Sequence, residues 1–350
     1  MKTILAGASA ASVPAIFSGK SFAAETLVVA DPGGVYAAAY TEAYYVPFTK
    51  ETGVKIIPVA RRSNPSAELK AQVDTKSFYW DICGGLTSDV ADLLSRQGAL
   101  EKIDNGGKDM DSVPADWRSD FYFPDGIGTF VLAYRKDRFA TLPRTFADLW
   151  NLNTFPGPRG MRKFARDTIE VALRADGVPG GAEIYRVLST PAGWDRAFAK
   201  LDQIRKNVAV WWDVSAQVTQ ILRNGDVDLC PTFNVRAQAA KDEGAPVEIS
   251  WEGGFYSLIG WAIPKGNPKA AIGREFIKFC ARPDRQAAYT AKLRNGPSNP
   301  HAIPLVPKDV AITLPSYPAN LAKTTRVNDV FWGQHEEEAD RRFNGWLLQG

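Results

Sequence analysis

Thr26-Leu27-Val28-Val29-Ala30 runs into Asp31-Pro32-Gly33-Gly34, then into Val35 to Lys50, and after Gly53 into Val54-Lys55-Ile56-Ile57-Pro58-Val59. This reads as strand, glycine turn, helix, strand. A short apolar run ended by Pro and Gly is a strand signal, and a helix between two such runs starts a βαβ layer. The same alternation continues outward. Ser66–Thr75 reads as helix, Tyr79-Trp80-Asp81-Ile82-Cys83 as a strand ending in Gly84-Gly85, and Thr87-Ser88-Asp89 as the cap of a helix with Leu93 and Leu94 on its apolar face. Thr129–Tyr134 is a buried-strand run stopped by Arg135-Lys136-Asp137.

A proline-rich stretch from Pro143 to Gly160 separates this part from a second round of alternation. Thr190-Pro191 opens a helix with Trp194, Ala197, Phe198, Leu201 and Ile204 on one stripe. Val208–Trp212 reads as strand, Ser215 caps a helix closed by Gly225, and Val227–Phe233, Val235–Glu243 and Val247–Trp251 follow as strand, helix and strand. Phe255–Ile263 is a further apolar strand, and Asn267-Pro268 starts a helix carrying Ile272, Phe276, Phe279 and Cys280. The last helix has Phe343, Trp346 and Leu347 on its apolar face and expected pairs Glu337–Arg341 and Glu338–Arg342 on its polar face. Two α/β units thus meet near Phe130–Tyr134 and again near Tyr256–Ile263. Two crossings mean that one lobe is discontinuous and that a hinge and a cleft lie between the lobes. The boundaries read as residues 25–130 plus 260–310 for lobe 1, 131–259 for lobe 2, and 311–350 for a helical segment packing on the lobes.

Composition narrows the function. The 350 residues correspond to about two domains, and 45% hydrophobic with 23% charged residues is a folded composition. With 42 basic and 39 acidic side chains, nucleic acid is not an expected partner. His301 and His335 have no metal-ligand spacing, and Cys83, Cys230 and Cys280 stand alone, so metal centres and a disulfide scaffold are disfavoured. No Gly-x-Ser-x-Gly elbow occurs after the first 24 residues, and no P-loop or GxGxxG fingerprint occurs at all. No cofactor and no enzyme are expected. Met1-Lys2, the uncharged Ile4–Phe17 and Ser21-Phe22-Ala23 read as a secretory signal peptide over 1–24, cleaved near Ala23 or Ala24, which predicts a periplasmic protein.

Aromatic and polar residues gather where α/β ligand sites form, at the ends of strands. They are Gly33-Gly34 with Tyr36, Trp80-Asp81, Thr87-Ser88-Asp89, Arg166-Asp167-Thr168, Trp211-Trp212-Asp213, Phe233-Asn234-Val235-Arg236, and the stretch Trp251 to Trp261 with Tyr256 and Ser257. Trp211 and Trp212 face opposite sides of a strand, one toward the core and the other toward the cleft.

Pro47-Phe48-Thr49-Lys50-Glu51-Thr52-Gly53, Tyr79-Trp80-Asp81-Ile82, Leu132-Ala133-Tyr134-Arg135-Lys136-Asp137, Phe155-Pro156-Gly157, Gly225-Asp226-Val227 and Trp261-Ala262-Ile263-Pro264-Lys265-Gly266 resemble, in this order, the bacterial extracellular solute-binding proteins of ABC importers, in the spermidine/putrescine branch. The resemblance implies a two-lobed periplasmic-binding fold (type II) that closes on a small solute and delivers it, as a monomer, to an inner-membrane permease. It implies Asp167 as an ammonium-binding acid, Phe233-Asn234 as an aromatic wall, and Ser88 and Asp89 as a first-lobe contact. Relatives with a diamine ligand carry Asp where this chain has Ile259, so the second amine of a polyamine loses its partner. Arg166 and Arg236, in the other candidate loops, suit a carboxylate. The expected ligand contacts are Gly34, Tyr36, Thr87, Ser88, Asp89, Arg166, Asp167, Trp212, Asp213, Phe233, Asn234, Arg236, Tyr256 and Ser257. The expected ligand is a small amine or amino acid resembling γ-aminobutyrate or a polyamine. A small carboxylate or phosphonate anion, a carboxylate-based enzyme on the same fold and a polysaccharide-adhesion module are the alternatives.

Overall fold

The computed structural model describes residues 25–61, 65–104 and 106–349; the expected signal peptide and its cleavage site lie outside them. One sheet organises the chain. Its strands are β1 (Thr26–Asp31), β2 (Lys55–Ala60), β3 (Ile82–Thr87), β4 (Phe123–Arg135), β5 (Arg159–Arg162), β6 (Val208–Trp212), β7 (Leu229–Phe233), β8 (Val247–Ala262) and the short β9 (Gly296–Pro297) and β10 (Thr325–Arg326). The order is β2-β1-β3-β8-β4-β7-β5-β6, with β9 on β4 and β10 on β8. The outer thirds are parallel, β2-β1-β3 at one end and β7-β5-β6 at the other, and the central pair β4/β8 is antiparallel.

β4 and β8 therefore serve both ends of the sheet. Phe123 faces Trp261, Ile127 faces Leu258 and Phe130 faces Phe255. Beyond this point the register shifts, Leu132 facing Ser250 and Arg135 facing Val247, so Trp251–Gly254 bulges out of the ladder. The two sequence-predicted strands Val247–Trp251 and Phe255–Ile263 are one strand carrying this bulge. On the β1–β3 side the core gathers Leu27, Tyr40, Tyr44, Phe48, Trp261 and Phe276, with Trp80, Leu94 and Leu258 in an adjoining cluster. On the other side it gathers Phe146, Ile169, Trp194, Trp212, Leu229 and Phe255. The Asp329–Leu348 helix adds Phe331, Trp332, Phe343 and Trp346 to this second core.

Several elements differ from expectation for identifiable reasons. The expected Val35–Lys50 helix is α-helical over Gly34–Tyr40, widens to a π turn over Thr41–Tyr45, and resumes over Val46–Thr52. Pro47 has no N–H to give back to the preceding turn, and the wider turn absorbs that loss. Tyr79 and Trp80 are not in a strand; both backbone N–H groups donate to the Gln72 side chain, and the strand begins at Ile82. On the last helix, Arg342 reaches Asp195 and Arg341 pairs with Glu338, in place of the expected i,i+4 pairs. The cysteines are free and buried. No helix among the described residues is long and apolar enough to cross a membrane.

Candidate binding cleft

A cavity of about 480 Å³ opens where the two ends of the sheet face each other. From the first end come the turn Pro32–Gly34 with Tyr36, then Arg61, Gly85, Thr87, Gly128, Ile259 and Asn295; from the second come Val214, Ala216, Phe233, Val235 and Arg236. The turn needs glycine at both positions, since Gly33 and Gly34 have φ of 70° and 57°. Asp31 at the end of β1 fixes it by accepting the Gly33 N–H at 2.8 Å and the Tyr45 hydroxyl at 2.8 Å.

Charge in the cleft wall has one sign among the described residues: two arginines and no carboxylate. Arg61 donates to the carbonyls of Gly84 and Gly85, both at 2.8 Å. Arg236 stands in the first turn of the Asn234–Asp242 helix, half-buried. Burial raises the Tyr36 phenol, and the Arg236 charge and the Asn295 amide pull it back. Asn295 is buried; its Nδ2 donates to the Tyr289 hydroxyl at 3.1 Å, and its Oδ1 has no hydrogen-bond partner among the described residues. Ile259, the position where diamine-binding relatives were expected to carry an acid, is in the wall.

Of the expected contacts, Gly34, Tyr36, Thr87, Phe233 and Arg236 line the cleft. The others are placed elsewhere. Arg166 and Asp167, expected in a loop as opposite poles for a ligand, stand in the first turn of the Ala165–Ala175 helix and pair with each other at 2.9 Å. Asp167 is also held by Arg162, and Arg166 also reaches Asp89 at 2.5 Å. Burial alone would raise the Asp167 carboxyl; Arg166 and Arg162 more than reverse that and hold it below the ordinary value. Trp212 is fully buried in the second core, and Trp211 packs on Phe343 and Trp346, so neither indole faces the cleft. Asn234 is a structural bridge: its Oδ1 accepts the Thr129 N–H at 3.0 Å and its Nδ2 donates to the Arg294 carbonyl at 3.0 Å. Ser88 is buried at a helix start, Asp213 is exposed after β6, and neither lines the cleft. Tyr256 packs against Trp117, and Ser257 is buried opposite Gly128.

Sequence reasoning missed Arg61 and Asn295. Arg61 directly follows β2, at the carboxyl end of a parallel strand, where the rule for open sheets places ligands. Asn295 carried only a turn signal, Asn-Gly, and reaches the cleft because β9 returns to pair with β4.

Two lobes sharing a sheet through two long strands, with a cleft between them, define a two-lobed receptor for a small solute. Residues 43–318 match the family described as bacterial extracellular solute-binding protein, and the chain belongs to it. The chain is 37% identical over 331 residues to the gamma-aminobutyric acid-binding protein of Pseudomonas aeruginosa, spanning 93% of this chain and 92% of that protein. It is 28% identical to the spermidine/putrescine-binding periplasmic protein of Escherichia coli, over 74% of this chain and 76% of that one. A solved ABC transporter substrate-binding protein from Bradyrhizobium japonicum superposes with a TM-score of 0.84 at 30% identity, covering 92% of this chain and 99% of that one. The protein is a substrate-binding receptor of an ABC transporter and not an enzyme; its partners are a small-molecule solute and an ABC permease.

Proposed function

We propose that the receptor takes up a small ω-amino acid of the γ-aminobutyrate type in the periplasm, as a monomer, and passes it to its permease. The observation that carries this reading is the cleft wall, which has Arg236 and Arg61, Ile259 and no carboxylate among the described residues. A guanidinium pole calls for a carboxylate on the ligand. A dication in the same cleft would face like charge and an apolar Ile259, so spermidine and putrescine fit it poorly. The ammonium of a zwitterion has the Tyr36 ring as an aromatic face. The name of the Pseudomonas relative, the more similar of the two curated relatives, agrees with this reading.

Calorimetry with γ-aminobutyrate, butyrate, putrescine and spermidine tests it. The expected order is γ-aminobutyrate first and the polyamines last. Arg236→Gln should weaken γ-aminobutyrate binding by at least about 30-fold, the cost of leaving a charged partner unpaired. Spermidine binding more tightly than γ-aminobutyrate would overturn the reading, and butyrate binding as tightly would reduce it to a simple carboxylate receptor.

A further inference from the structure

We propose that the Asp89–Arg166 ion pair is an interlobe latch that sets how often the empty receptor is closed. The proposal rests on the two-lobed architecture and not on the identity of the ligand. Asp89 is in the first turn of the Ser88–Arg96 helix, whose Val90, Ala91 and Leu94 belong to the core of the first lobe. Arg166 is in the first turn of the Ala165–Ala175 helix, whose Ile169, Val171 and Leu173 belong to the core of the second. The two side chains meet at 2.5 Å, each 8% exposed. The other carboxylate–guanidinium pairs between the lobes are longer and wetter, Arg294–Asp242 at 3.8 Å and Arg326–Asp116 at 3.9 Å, although Arg326 also donates to the Asp116 carbonyl at 2.7 Å.

The local chemistry makes this contact releasable. Arg166 donates its Nε to Asp167 at 2.9 Å within its own lobe, so separation does not strand it. Asp89, released, stays at a helix N-terminus, where negative charge is favoured. A buried pair whose members are both cared for when parted is a bias on an equilibrium and not a weld. The same chain of charges reaches the cleft. Asp167 also holds Arg162, whose guanidinium lies over the Phe233 ring at 5.0 Å, and Phe233 lines the cavity.

A receptor whose competent state is populated to a fraction f binds with an apparent dissociation constant raised by 1/f. Asp89→Asn keeps the shape and removes the charge. The ligand-free variant should scatter X-rays with a larger radius of gyration than the wild type. Its γ-aminobutyrate affinity should fall about tenfold, while the radius at saturation stays that of the wild type. Asp89→Glu should restore the compact empty state, and Lys278→Gln, which breaks the 2.8 Å pair with Asp104 inside the first lobe, should leave it alone. Melting curves establish that each variant is folded. Should Asp89→Asn fail to fold, Arg166→Gln is the second probe, since it leaves Asp167 with Arg162. A folded Asp89→Asn protein with the wild-type radius when empty would overturn the latch. Absence of γ-aminobutyrate binding to the wild type would remove the functional reading, and the scattering of the empty proteins would still decide the latch.

Discussion

Asp125 is fully buried on β4 with neither carboxyl oxygen hydrogen-bonded, near the Tyr44 hydroxyl and the Trp261 indole. Burial pushes its pKa up to about 8, against the smaller pull of its own backbone, Tyr44 and Trp261. The folded protein therefore holds a proton between about pH 4 and 8 that the unfolded chain has already released. Stability from this group is complete below the unfolded value and is lost as pH rises toward the folded one. Relative to Asp125→Asn, the wild type should lose about 1.4 kcal/mol per pH unit across that window. Urea melts of both proteins at several pH values check this, and parallel profiles would refute it. At Ile259 the expected effect is on selectivity. Ile259→Asp places a carboxylate in a wall that has none among the described residues. Putrescine should then bind at least about tenfold more tightly than to the wild type, with γ-aminobutyrate weakened; calorimetry with putrescine at wild-type strength would refute it. Of the cavity lining, the residues beside strand ends were legible in the sequence: Gly34, Tyr36, Thr87, Phe233 and Arg236. Arg166 and Asp167, also expected as contacts, pair with each other outside the cavity lining, and a charged pair near a strand end looks the same in sequence whether it faces a ligand or its neighbour.

Among the elements, strand existence was legible and strand length was not. The apolar run Thr129–Tyr134 is the part of β4 without Pro or Gly; Phe123–Gly128 is equally buried strand, hidden in the sequence by Pro124, Gly126 and Gly128. Pro124 is tolerated because it stands next to the first residue of β4, where the register against β8 shifts between Pro124 and Gly126. Between β4 and β8 the closest approach lies at Gly260, where a Cβ would stand 2.1 Å from the Phe123 carbonyl oxygen. Backbone cannot yield as a flexible side chain can, so Gly260→Ala should cost at least about 2 kcal/mol. Gly345→Ala, where a Cβ would meet nothing within 4 Å, should cost nothing comparable. Thermal melts of the two variants side by side give the comparison, and equal melting temperatures would show that β4 and β8 can move apart.

At the scale of the molecule, two lobes were inferred because two apolar strands recur at the junctions between α/β units. The structure supplies the reason: β4 and β8 pass through both ends of the sheet. What the sequence could not carry was which residues of distant segments share a wall, as with Asn295 beside Tyr36. If the register shift at Trp251–Gly254 is where the lobes rotate, saturating γ-aminobutyrate should reduce the radius of gyration of the wild type. An unchanged radius with binding proven by calorimetry would mean that the cleft is filled without closure.

The two shared strands also dictate an order of assembly. As the chain emerges from its N-terminus, β1, β2 and β3 wait for the second half of β8 and for Phe276 and Tyr289 before their core is complete. The intervening segment waits longer, because Phe331, Trp332, Phe343 and Trp346 of its core come from the final helix. The first hydrophobic centre is complete only once Leu293 has been made, and the second only with the final helix. A polypeptide built this way stays uncommitted until most of it has been synthesised.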